Sequence, residues 1–125
     1  MPFEPRGIIP ACLLPFDVDL NIDEKHFRSH LRDLVAVDGI SAITINAHSM
    51  EVHALSIDEQ ARTTDITLDE IGDQIPIIHG VYADGSANAA RIAKQAEQSN
   101  AVHDVFLYSL PIHLPWAVKC ALKWR

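Results

Sequence analysis

The chain has 125 residues, 48% of them apolar, and ten basic against seventeen acidic residues give it a formal charge of −7. That is the size of one domain with its own core, and the acidic excess argues against a general nucleic-acid partner, whose phosphates need a basic surface. No apolar run approaches the roughly 18–20 residues of a membrane span, prolines and Glu4 spoil the first segment as a signal peptide, and Cys12 and Cys120 form neither a disulfide framework nor a metal-spacing motif, so a cytoplasmic, reduced, soluble protein with no membrane partner is expected.

The elements are read in chain order. Gly7-Ile-Ile-Pro-Ala-Cys-Leu-Leu14, closed by Pro15, is a short apolar run and predicts a buried strand. Asn21 and Asp23 offer N-caps for a helix to about Val37, with Phe27, Leu31, Leu34 and Val35 along one buried stripe and Gly39 as its stop. Ile40-Ser-Ala-Ile-Thr-Ile-Asn46, rich in β-branched residues, predicts a second strand. After a loop, Ser56-Ile-Asp-Glu59 reads as a capping box for a helix ending at Ile71 before Gly72. Ile75-Pro-Ile-Ile-His-Gly-Val81 is a third strand, with Pro76 tolerable only near its start. Asp84-Gly-Ser86 then leads into an alanine-rich helix, Ala87 to Ser99, and Val102 to Leu107 forms a fourth strand.

Alternating strands and helices predict a parallel α/β sheet with right-handed crossovers. The pattern alone leaves an open doubly wound sheet and a piece of barrel as alternatives. No glycine-rich dinucleotide fingerprint follows the first strand, which weakens the nucleotide-binding version. Beyond 101 the character changes. No acidic residue follows Asp104, Lys119, Lys123 and Arg125 fall in the last seven positions, and both tryptophans, Trp116 and Trp124, occur only here. Residues 1–101 are therefore read as one unit and 102–125 as a divergent tail, either out of frame or a closing amphipathic helix.

From Gly7 to about Ala101 the chain resembles the dihydrodipicolinate synthase / N-acetylneuraminate lyase family. Gly7-Ile-Ile-Pro-Ala-Cys-Leu-Leu-Pro-Phe16 is similar to the family's opening strand, with Leu14 where a threonine is usual. Asn21-Ile-Asp-Glu24 resembles the start of its first helix. Asn46-Ala-His-Ser-Met-Glu-Val-His-Ala-Leu-Ser56, with Asp58 and Glu59 behind it, is the most telling stretch. The family norm there is Gly-Thr-Thr-Gly-Glu, three variable residues, then Leu-Ser or Leu-Thr and an acidic pair. Ile75–Val81 and the alanine-rich helix resemble the third strand and helix. Tyr108-Ser-Leu-Pro111 is a poor match to the family's proline–tyrosine stretch, and no role is carried over to it.

The resemblance implies the N-terminal half of a (β/α)8 barrel of roughly 300 residues, three or four β/α units with parallel strands. It also implies class I aldolase chemistry: a lysine on the sixth strand forms a Schiff base with pyruvate or a related 2-oxo acid, a fifth-strand tyrosine relays protons, and no cofactor is needed. Both residues would lie beyond position 125. Lys25 and Lys94 fall on outer helices and Lys119 and Lys123 in the tail, so none is a carbinolamine former and the chain is expected to be inactive alone. What the resemblance carries over is the loop after the second strand, where His48 and Ser49 stand in place of the threonine pair that holds the substrate carboxylate. His48 brings an imidazole instead of a hydroxyl, Met50 replaces a glycine, and Glu51 is kept as a loop anchor.

Plainer roles stand beside these. His48 also reads as a loop histidine bonded to its own backbone, and Ser49 as a simple turn or cap residue. His26 and His30, four apart on a helix, have metal spacing but lie among Lys25, Arg28 and Arg32, so no metal is expected there. His79 reads as a hydrogen-bonded core histidine, and Cys12 as a small apolar one. A half barrel carries two unpaired parallel edges, which favours a homo-oligomer or a non-catalytic self-associating α/β module.

Overall fold

The computed structural model describes residues 4, 6–98 and 102–108, the last segment for its backbone. Ser99 and the part beyond Tyr108 of the segment read from sequence as a divergent tail, with Lys119, Lys123, Cys120 and both tryptophans, lie outside the described residues. The element order is α1 (Glu24–Val35), β1 (Ile43–Ile45), two 3-10 turns (His48–Met50 and Val52–Ala54), α2 (Ile57–Ile71), β2 (Ile77–Tyr82), α3 (Ser86–Gln98) and β3 (Val102–Tyr108). The three strands form one parallel sheet in the order β1-β2-β3, the α/β class the alternation predicts.

The helix ends follow the sequence signals. The Asp23 carboxylate caps α1 by accepting from the His26 N–H, and its second oxygen lies 2.6 Å from His26 Nδ1. At α2 the box is complete: the Glu59 N–H donates to Ser56 Oγ, and Glu59 accepts in return from the Ser56 N–H. Phe27 and Leu31 of α1 pack fully buried with Ile66 and Ile71 of α2 and with Ile43, Ile45 and Ile77 of the sheet. Outside that core, Arg28 ties α1 to α2 through Glu24, Asp69 and Glu70. The Arg28 guanidinium, with Arg32 behind it, holds the Glu70 carboxyl below the usual range.

The first predicted strand is only partly regular. It meets its neighbour through isolated parallel bridges, Ile8 to Ile40 and Ala11 to Thr44. Pro10 has no N–H to give, so the pairing there runs through its carbonyl, which accepts from the Thr44 N–H, while the Cys12 N–H donates to Thr44 O. For the same reason the predicted second strand, 40–46, is regular only over Ile43–Ile45. Both faces of β1 and β2 are covered, as parallel strands demand. Among the described residues no helix is long and apolar enough to cross a membrane.

Candidate functional site

The segment joining β1 to α2 leaves the C-terminal end of β1, the edge from which parallel α/β folds build their sites. Asn46 turns the chain with a left-handed φ of 50°, tolerable for asparagine because its short amide bonds locally. Ala47 is extended, His48–Met50 make one 3-10 turn, Glu51 is left-handed at φ 54°, and Val52–Ala54 make a second turn before Leu55 straightens into the Ser56 cap. Ala47, Met50, Val52 and Leu55 point inward and His48, Glu51 and His53 outward. The loop is thus a built platform with its own small core.

Met50 anchors that platform. It is buried, and its Sδ accepts from the Asn46 N–H at 3.0 Å and from the Cys12 thiol at 3.5 Å. Its own backbone makes no demand for glycine, because the left-handed position falls one residue later, at Glu51. Cys12 is sealed in the same contact, and burial pushes its thiol up to about 12, leaving it protonated and unreactive at neutral pH.

Ser49 is half-buried, and its hydroxyl donates to the Cys12 carbonyl at 2.7 Å, tying the turn to the first segment. This is more than the simple turn role considered for it, and it commits the hydroxyl proton to that carbonyl while the bond stands. His48 is exposed, and its ring stands edge-on to Tyr82, the last residue of β2, with centroids 6.2 Å apart and planes at 69°. His53 approaches the same tyrosine at 6.2 Å and 60°. So the structure places both expected residues, His48 and Ser49, on one turn and adds two that sequence reasoning passed over, His53 and Tyr82. The missing signal was register. Ile45 pairs with His79, so Tyr82 lies three residues past the end of β1, level with the loop.

Beneath the turn lies a buried polar knot. The Asn46 amide nitrogen reaches Gln60 O at 3.1 Å, Thr64 Oγ1 at 3.1 Å and His79 Nε2 at 2.9 Å, and Asn46 Oδ1 accepts from the Thr63 hydroxyl at 2.7 Å. His79 Nδ1 lies 2.7 Å from Gly80 O, so that nitrogen carries the proton and Nε2 accepts. Burial pushes the His79 pKa below the usual imidazole value, which keeps the ring neutral. His79 is thus the bonded core histidine the sequence suggested.

His26 and His30 do not share a ligand. His26 pairs with Asp23, and His30 Nε2 accepts the Leu13 N–H at 3.0 Å, filling in for a strand partner. Both border an open cleft of about 460 Å3 that also meets Ser49 and Glu51. Among the described residues no group of three histidine, cysteine or carboxylate side chains is placed to hold a metal ion.

The family model described as the dihydrodipicolinate synthetase family matches residues 4–107. A 4-hydroxy-tetrahydrodipicolinate synthase of Salinibacter ruber is 31% identical over 96 residues, 77% of this chain and 32% of that protein. An N-acetylneuraminate lyase of Clostridium perfringens is 34% identical over 89 residues, 71% of this chain and 31% of that protein. Among solved structures, the 4-hydroxy-tetrahydrodipicolinate synthase of Methylacidiphilum fumariolicum SolV superposes with a TM-score of 0.78 at 25% identity, covering 85% of this chain and 34% of that one. The chain spans about a third of the length of these relatives.

Proposed function

This chain belongs to the dihydrodipicolinate synthetase family, and on that premise we propose that it forms the first three or four units of a (β/α)8 barrel performing class I aldolase chemistry on a 2-oxo acid such as pyruvate. The observation that carries this reading is the His48–Ser49 turn, built at the C-terminal end of β1 and tied to the end of the first segment through Ser49 and Cys12. Barrel enzymes bind substrate at that end of their strands. In this reading a ring N–H of His48 donates to the substrate carboxylate, and the Ser49 hydroxyl joins it by turning its proton from the Cys12 carbonyl to the ligand. The Met50 and Glu51 N–H groups are already bonded to the Ala47 and His48 carbonyls, so the ligand is met by the first half of the turn.

The Schiff base needs a lysine amine aimed into the mouth from a strand. Lys25 lies exposed on α1 and Lys94 exposed on α3; Lys119 and Lys123 lie outside the described residues. The chain by itself is therefore expected to be inactive. Incubating it with pyruvate and borohydride should leave its intact mass unchanged, and a reduced pyruvate adduct on any of the four lysines would sink this part of the reading. The departure of residues 102–125 from the family pattern belongs to the same proposal and is supported by the composition beyond Asp104, although the family match runs on to residue 107. If the DNA past codon 102 restores the family's proline–tyrosine stretch in another frame, the tail is out of frame; if no frame does, that idea fails.

A second reading, a non-catalytic self-associating module, is favoured by one observation. Ile8 and Leu13, on the edge segment beside β1, are 64% and 59% exposed. A monodisperse monomer at high concentration would count against it.

A further inference from the structure

We propose that Tyr82 is a positioning residue of the site, holding the imidazoles of His48 and His53 in one row along the mouth; this rests on the 2-oxo-acid reading of the His48–Ser49 turn. The three rings come from three backbone elements. His48 lies on the first 3-10 turn, His53 on the second, and Tyr82 closes β2. Both imidazoles stand edge-on to the one phenol ring, at 6.2 Å and at 69° and 60°, the arrangement that the quadrupole of an aromatic face favours. Tyr82 is half-buried and sits at the end of a strand locked in a parallel ladder, whereas His48 and His53 are exposed on three-residue turns. The rigid member of the row is therefore the tyrosine.

The chemistry makes this placement matter. A hydroxyl can rotate to meet a carboxylate or an enol oxygen from many directions. An imidazole offers one donor and one acceptor nitrogen at fixed positions on a plane, so what it offers a substrate depends on how the ring is held. His48 needs such support, and Tyr82 supplies it. Its O–H adds a further donor at the same level of the mouth.

The test uses the whole 125-residue chain with labelled histidine and aromatic side chains. In the unmodified chain, nuclear Overhauser contacts should join the Tyr82 ring protons to the ring protons of both His48 and His53; their absence overturns the proposal without any variant. Tyr82→Phe keeps the ring and should leave both histidine signals in place. Tyr82→Leu should move both, while the buried His79 signal stays put and reports an intact fold. On titration with pyruvate, the His48 signals should shift in the unmodified chain and in Tyr82→Phe, and the apparent affinity should weaken about two- to tenfold in Tyr82→Leu, as loss of a ring pair implies. Unchanged histidine signals or unchanged pyruvate affinity in Tyr82→Leu would overturn the role of Tyr82. An unmodified chain whose His48 signals ignore pyruvate would instead overturn the 2-oxo-acid reading, with the ring contacts still deciding the tyrosine.

Discussion

Replacing Gly80 with alanine is expected to cost the fold about 3 kcal/mol or more, because the added carbon has nowhere to go. A Cβ at this position would lie 2.3 Å from the Asn46 carbonyl oxygen, 2.8 Å from its carbon and 3.1 Å from Ile45 O. All three are backbone atoms of β1 and the residue that ends it, so no side-chain rotation relieves the overlap. The strands must separate, and β1 is held on its far side by the first segment through the Thr44 and Cys12 N–H groups. The displacement would pass directly into Asn46, and from there into the turn carrying His48 and Ser49. Gly85 is the matching control, since a Cβ there would meet nothing within 4 Å, and Gly85→Ala should stay within about 0.5 kcal/mol of the unmodified chain. Denaturant unfolding separates the two: Gly80→Ala should lower the midpoint sharply at an unchanged slope. Equal midpoints for the two variants would show that the sheet absorbs the carbon.

That contact marks the boundary of what could be read in advance. The helices were legible because their signals are contiguous. Ser56 and Glu59 are three apart and satisfy each other's backbone, and Phe27 and Leu31 repeat on one face. The parallel run of the strands was legible because long, helix-bearing connections return the chain to the same end of the sheet. The family resemblance pointed to the His48–Ser49 loop for the same reason, since the motif is a run of adjacent residues. The support beneath the loop was not legible. Asn46, Thr63, Thr64 and His79 come from three elements spread over 34 positions, and nothing in their spacing says that one amide joins them. Met50 read only as a departure from the family's glycine, yet it is the residue that packs the turn onto Cys12. Gly80 looked like one more residue of an apolar strand, and only the register against β1 reveals that its missing side chain is what lets Asn46 sit there.

Lowering the pH from about 7 toward 5 should destabilise the chain through His79, and the same knot explains why Asn46→Ala should cost roughly 3 kcal/mol at neutral pH. In that variant the Thr63 hydroxyl and His79 Nε2 each lose one of two buried partners, keeping Gln60 O and the Thr64 hydroxyl, and alanine must adopt the left-handed φ that asparagine tolerates. The pH effect has a definite sign. In the unfolded chain a histidine takes up its proton near pH 6.5. In the fold, burial lowers that value, with the bond to Gly80 O opposing it only in part. Over the interval between the two values the unfolded state binds more protons, so stability is full above about pH 6.5 and falls as the pH drops through and below it. A proton on Nε2 would also face the Asn46 amide, a donor, at the position where an acceptor now receives it. The carboxylates held low by their partners, Asp23, Glu24, Glu59 and Glu70, lose their contributions only nearer the normal carboxylate range, which leaves the upper part of the window to histidine. His79→Gln should therefore flatten the pH slope between about 7 and 5 whatever it does to stability at pH 7. If the slope survives that substitution, His79 does not carry it. If it disappears, acid acts on the residue directly beneath Asn46, and the turn bearing His48 and Ser49 should loosen before the helices do.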